Sequence, residues 1–188
     1  RYLYAYDTKI ENEGINTGGL IGLKDRGCQI TYSVGYNLSV SGSRNVGGVI
    51  GSGNAKIKKC YINANVKASI NAAGGLIGNL TNIEMNDINN TSELNESYFV
   101  GKVIGEKNVG GQIGNIEEDI YIGKNNYYYY SNYVQADLIC NDNATISLGI
   151  GSNKNQNEKI KDSYYYKYST INGENPNLQN EMFIKVEQ

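Results

Sequence analysis

Apolar and polar residues alternate strictly over two long stretches of the chain. From Tyr61 to Ala68 the order is Tyr-Ile-Asn-Ala-Asn-Val-Lys-Ala, and from Tyr133 to Leu138 it is Tyr-Val-Gln-Ala-Asp-Leu. A period of two is the signature of a strand with one buried face. A small polar residue and a tyrosine recur as the pairs Cys60-Tyr61, Ser97-Tyr98, Asn132-Tyr133 and Ser163-Tyr164, and the first and third of these open the two stretches. No comparably long segment carries the 3.6-residue period of an amphipathic helix, and Gly and Asn interrupt the rest. The elements predicted are therefore strands.

Laying the copies over one another gives columns. Val34, Ile62, Phe99 and Val134 form the first inward column, and Tyr36, Ala64, Gly101 and Ala136 the second. Leu38, Val66, Val103 and Leu138 follow, then Val40, Ala68, Gly105 and Cys140. A further apolar position precedes the tyrosine block, at Ile57, Leu94, Tyr129 and Ile160.

Between these blocks a glycine pentad returns. Gly18-Gly19-Leu20-Ile21-Gly22 recurs as Gly47-Gly48-Val49-Ile50-Gly51, Gly74-Gly75-Leu76-Ile77-Gly78 and Gly110-Gly111-Gln112-Ile113-Gly114. Ser147-Leu148-Gly149-Ile150-Gly151 is a degenerate fifth copy. The last glycines are 29, 27, 36 and 37 residues apart. A fixed period of this kind indicates a repeat architecture. Tetratricopeptide and ankyrin units share the period but need helices, and a propeller blade needs about 40 residues or more. A β-solenoid coil fits, because like residues then stack above like residues about 4.8 Å apart. The expected fold is all-β: a parallel β-helix of about five coils, with insertions around 82–93 in the third copy and 117–126 in the fourth. The glycines are expected to supply left-handed backbone at coil corners.

Composition removes several kinds of chemistry. The chain has 188 residues, no His, no Trp, one Pro, 23 Gly and 17 Tyr, and Asn is its commonest residue. Without histidine there is no Ser-His-Asp triad, no Cys-His pair and no HExxH zinc site within this sequence. A net charge of −2 gives no basic field for nucleic acid. No apolar run approaches the roughly 20 residues of a transmembrane helix. Cys28, Cys60 and Cys140 are odd in number and lack CxxC spacing, so they read as small buried side chains, with one reactive thiol as the alternative. Six Asn-x-Ser/Thr sequons, at Asn37, Asn79, Asn89, Asn90, Asn95 and Asn143, follow from the abundance of Asn.

Three features remain as candidate chemistry. Glu117-Glu118-Asp119 is a compact acidic run, readable as a calcium or polysaccharide-cleaving site but better as a solvated loop. The three arginines, Arg1, Arg26 and Arg44, stack with no acidic column. Gly18 to Gly22 lacks the Lys-Ser/Thr of a phosphate loop. The tyrosines carry more weight. If Ile62, Phe99 and Val134 point inward, Tyr61, Tyr98 and Tyr133 point outward or into a corner, with Tyr164 continuing a row along the solenoid axis. Tyr128 and Tyr130 belong to a nearby cluster. Such a row suits stacking on sugar rings or anchoring a protein, and it also stabilises a sheet by cross-strand packing. No catalytic residue, metal ligand or cofactor is expected.

The pentad, a β segment, Cys/Ser-Tyr and then Gly/Ala-x-Val together resemble the GLUG repeat of large bacterial secreted and surface proteins. These include adhesin-like proteins and the N-terminal regions of immunoglobulin A1-type zinc metallopeptidases. The resemblance covers about residues 16–166 and is weakest in the fifth copy, where Ser147-Leu148 replaces Gly-Gly. It implies a bacterial secreted or cell-surface location, with the adjacent domains of the same polypeptide and a host glycan or protein as partners. Residues 1–15 read as part of a preceding coil, 16–171 as the repeats, and 172–188 as a cap or linker. A chain starting at Arg1 reads as a fragment of something longer. The expected role is a non-enzymatic spacer or adhesive module, with a carbohydrate-binding module as the alternative and a polysaccharide-degrading β-helix a distant third.

Overall fold

The computed structural model describes residues 2–24, 29–54, 56–81, 92–117, 129–130, 132–153, 160–161, 163–176 and 183–186. Among these the regular elements are all strands. They lie in three sheets, one of twelve strands and two of five, and every ladder between named strands is parallel. The protein is a parallel β-helix.

One turn of the chain shows how the coil is built. Tyr61–Gly74 runs along the long sheet, the chain bends at Gly75 and Leu76, and Ile77–Leu80 enters the first short sheet. Glu93–Asn95 then crosses the second short sheet, and after Glu96 and Ser97 the chain rejoins the long sheet at Tyr98. The ladder continues through the second corner. Tyr61, Tyr98, Tyr133 and Tyr164 each donate a backbone N–H to the carbonyl one coil away, at 2.8–3.0 Å. With both backbone edges paired, an interior coil leaves few places for proline, in keeping with a single Pro at 176.

The interior is a set of ladders. Phe99 pairs with Ile62 on one side and Val134 on the other, and all three are fully buried. Val66, Val103 and Leu138 form the next large column, while Ala64, Gly101 and Ala136 lie between. Ile57, Leu94, Tyr129 and Ile160 align in the second short sheet, joined by Ile30. Each buried branched or aromatic side chain contributes roughly 1.5–3 kcal/mol. The stack therefore holds itself together without any disulfide among the described residues.

The first coil departs from the sequence alignment. Val34 stands beside Tyr61 rather than Ile62, and Gly35 takes the place opposite Ile62. Tyr36 and Asn37 then form a bulge, with Asn37 at a φ of 53°. Beyond it Leu38 pairs with Ala64, Val40 with Val66 and Gly42 with Ala68. The cause is volume. Tyr36 does not fit a column of alanines and glycine, and it turns out to solvent. The space over Gly35 is instead filled by the side chains of Leu38 and Ile62, within 3.0 Å of where a Cβ would stand. An extra residue on the partner strand between Ala68 and Asn71 cancels the slip, so the pentads Gly47 and Gly74 meet in register.

The role expected of the pentad glycines also changes. None of Gly18, Gly19, Gly22 or their counterparts has a positive φ. Left-handed backbone near the corners is supplied instead by Asn16, Asn45 and Ala72, just ahead of the pentads, and by Tyr32, Lys59 and Glu96 at the other corner. The glycines are required because a side chain has no room. A Cβ on Gly18, Gly47, Gly74 or Gly110 would lie 1.8–2.1 Å from the carbonyl oxygen three residues on. One on Gly19, Gly48, Gly75 or Gly111 would lie 2.1–2.3 Å from a carbonyl oxygen of the next coil. At Gly22, Gly51, Gly78 and Gly114 it would strike backbone across the coil. Conformational freedom matters elsewhere, at Gly101, whose φ of 143° a side chain rarely adopts.

Candidate functional site

The outer face of the long sheet is organised by the corner that precedes it. Tyr32, Lys59 and Glu96 occupy equivalent positions in three successive coils, each with a φ near 50°. After each comes a buried small polar residue: Ser33, Cys60 and Ser97, with Asn132 continuing the column. These side chains join one coil to the next. Ser97 Oγ accepts the Cys60 N–H at 3.2 Å and donates to the Asn95 carbonyl at 2.9 Å. Asn132 Oδ1 accepts the Ser97 N–H at 3.0 Å, and its Nδ2 donates to the Leu94 carbonyl at 2.8 Å. Ser33 Oγ accepts the Leu3 N–H at 3.1 Å. Backbone groups that the turn leaves unpaired find partners without water. Cys60 fills the same place with a thiol that donates to the Lys58 carbonyl at 3.5 Å. Burial is the main cause pushing that thiol above its ordinary pKa.

The buried column fixes the next residue outward, and this places the tyrosines. Tyr61, Tyr98, Tyr133 and Tyr164 pair in direct register across four coils. Tyr61 is 37% exposed and Tyr98 47%, while Tyr133 and Tyr164 are half-buried. The Tyr98 and Tyr133 rings lie 6.0 Å apart at 41°. Desolvation, helped by Tyr166, raises the Tyr133 phenol pKa. Tyr128 lies outside the described residues. Tyr130 is on the second short sheet, paired with Asn95 and Lys161, and so not on the face that bears the row.

At its N-terminal end the row opens into a groove of about 790 Å³ lined by Tyr32, Val34, Lys59, Tyr61, Glu96 and Tyr98. Tyr32 and the ion pair at its margin escaped the sequence reading. Lys59 Nζ lies 3.3 Å from a Glu96 carboxylate oxygen, 3.4 Å from the Tyr32 hydroxyl and 5.3 Å from the Tyr32 ring centroid. The Tyr32 hydroxyl first, and then Glu96, hold the ammonium above the usual lysine pKa. On the other side of the tyrosines run the row Asn63-Val100-Gln135, polar at both ends with Val100 between, and the polar row Asn65-Lys102-Asp137. The face is an aromatic strip with hydrogen-bonding groups along both margins.

The acidic run divides. Glu117 is tied to the coil, accepting from Asn79 Nδ2 at 2.8 Å and Thr81 Oγ1 at 2.7 Å, while Glu118 and Asp119 lie outside the described residues. Among the described residues no cluster of three or more His, Cys, Asp or Glu is placed to hold a metal ion. No helix among them is long and apolar enough to cross a membrane. Cys28 and most of the two expected insertions lie outside the described residues. The fold and its tyrosine face define the protein as a parallel β-helix with a patterned sheet surface. No family model, curated protein or solved structure matches the chain.

Proposed function

We propose that the chain is a non-catalytic β-solenoid module of a larger bacterial secreted or cell-surface protein, which holds neighbouring domains apart and contacts a surface through its long sheet. The observation behind this reading is the column of half-exposed tyrosines kept in register over four successive strands. A continuous ladder with a buried polar corner resists bending, as a spacer needs. A row of tyrosines along its axis offers repeated, rigid contact area at low conformational cost. The GLUG resemblance of residues 16–166 supplies the cellular setting, and a zinc peptidase belongs to that setting only as a domain outside this histidine-free sequence.

The test is a turnover panel. The purified chain, incubated with acidic and neutral polysaccharides, is expected to release neither new reducing ends nor unsaturated products. Product formation that a carboxylate substitution such as Asp137→Asn abolishes would overturn the non-catalytic reading.

A further inference from the structure

We propose that the tyrosine face is a binding strip for an extended neutral glycan of β-linked hexopyranose units, lying along the solenoid axis with one sugar per coil. The proposal rests on the reading of this sheet as a contact surface and gives that surface a ligand class.

Three observations point to such a ligand. The first is the repeat distance. Tyr61, Tyr98 and Tyr133 succeed one another at the strand spacing of about 4.8 Å. The Tyr98 and Tyr133 rings themselves stand 6.0 Å apart, and the advance of one pyranose along an equatorially linked chain falls between these two distances, so successive sugar rings can meet successive phenols. The second is the shape and polarity of the floor. Tyr32, Val34, Tyr61 and Tyr98 make the groove largely apolar, shallow and open at its sides. A flat ring with a C–H face packs on it, whereas a peptide side chain would need a deeper pocket.

The third observation is what flanks the strip. On the corner side, Lys59 and Glu96 form a neutral pair that offers a donor and an acceptor at the edge of the groove. On the sheet side, Asn63 and Gln135 carry amides, and Asn65, Lys102 and Asp137 supply donors and acceptors of both signs. Equatorial hydroxyls project sideways from a ring stacked on a phenol, towards both margins. The balance of charge along these margins matches an uncharged sugar better than a uronic acid or a sulfated chain. The strip also has a direction, because the exposed rings lie at Tyr61 and Tyr98 and the row becomes half-buried at Tyr133 and Tyr164. The coils that bear Tyr61 and Tyr98 are therefore the principal subsites.

Titration calorimetry of the whole chain with cellohexaose and chitohexaose, and with their dimers, tests the proposal. At least one hexamer is expected to bind ten-fold or more tightly than its dimer. Tyr98→Ala is expected to lower that affinity at least ten-fold, whereas Tyr98→Phe keeps it within about two-fold. Melting curves confirm that both variants fold. Absence of binding by either hexamer at millimolar concentration overturns the proposal, as does binding indifferent to chain length or to Tyr98→Ala. Failure here leaves the turnover panel untouched, so loss of the glycan and loss of the non-catalytic reading are told apart.

Discussion

Two corners of the coil, at either end of the long sheet, make their turns differently. At the pentad corner the chain turns by doing without side chains: Gly74 and Gly75 have ordinary φ, but a Cβ on either would lie within 2.1 Å of a carbonyl oxygen. At the other corner the chain turns through Tyr32, Lys59 and Glu96, full side chains held in left-handed backbone. The strain there, of order 1–2 kcal/mol per residue, is offset by the buried Ser/Cys/Asn column that pairs the backbone of adjacent coils. A glycine in a repeat thus marks close approach as readily as it marks an unusual φ. The left-handed corner residues Tyr32, Lys59 and Glu96 carry side chains that work outside the corner, around the groove.

Substitutions separate the two mechanisms, beginning with the largest expected effect. Gly75→Ala places a methyl 2.1 Å from the Gly111 carbonyl oxygen and 2.5 Å from the Phe99 ring. It should destabilise the chain by about 3 kcal/mol or abolish cooperative folding, as read by urea denaturation. Ser97→Ala leaves the Cys60 N–H and the Asn95 carbonyl without that hydroxyl and should cost about 2 kcal/mol. Cys60→Ser should be tolerated, because serine is the residue other coils place in that column.

Smaller effects run the other way. Gln112 sits in the pentad column otherwise held by Leu20, Val49 and Leu76, with Gly149 next to it in the fifth copy, and its buried Nε2 has no hydrogen-bond partner among the described residues. Gln112→Leu should raise stability by about 1 kcal/mol, visible as a higher urea midpoint with an unchanged slope. Lys59→Gly, at a φ of 54°, should gain about 0.5 kcal/mol as left-handed strain is relieved and some chain entropy is lost. A gain from glycine here, against the loss from alanine at Gly75, is the contrast between the corners in a single pair of measurements.

The Cys60 thiol gives a pH-dependent counterpart. Its folded pKa is raised above the ordinary 9.0, so its contribution to stability is complete below that value and is lost as pH rises through the folded pKa. At pH 8 iodoacetamide should modify half-buried Cys140 well before Cys60, as followed by peptide mass spectrometry. Modification of Cys60 at a rate equal to that of Cys140 would contradict the closed corner.

Much of this architecture was legible in the sequence. The alternation after Tyr61 and Tyr133 and the recurring pentad specify parallel coils, because each copy has to bury the same face against its neighbour. The columns through Ile62, Phe99 and Val134 follow directly. The first coil was misaligned because a bulge at Tyr36 and Asn37 leaves no mark in an alternating pattern; only the misfit of a tyrosine among small residues hints at it. The corner column was visible as a small polar residue before each tyrosine. Its role needed the geometry, since Ser, Cys and Asn are uncharged alike but differ in size and in hydrogen-bonding groups. Tyr32 and the Lys59–Glu96 pair were hidden for a related reason: the chain separates them by 27 and 37 residues, and only the coil period brings them together.

The central claim is the register that sets Phe99 over Ile62 and Tyr98 over Tyr61, and it can be tested by covalent capture. With Cys28, Cys60 and Cys140 replaced by serine, the outward pair Asn65→Cys and Lys102→Cys faces directly across neighbouring coils. At a strand spacing of about 4.8 Å these positions fall within disulfide reach. Lys67, not Asn65, faces Ile104, so Asn65→Cys with Ile104→Cys is offset by two residues and lies beyond that reach. Mild oxidation should close the first pair rapidly and leave the second reduced. Closure of the second pair in preference to the first would refute the stacking on which the fold, the corners and the tyrosine strip all depend.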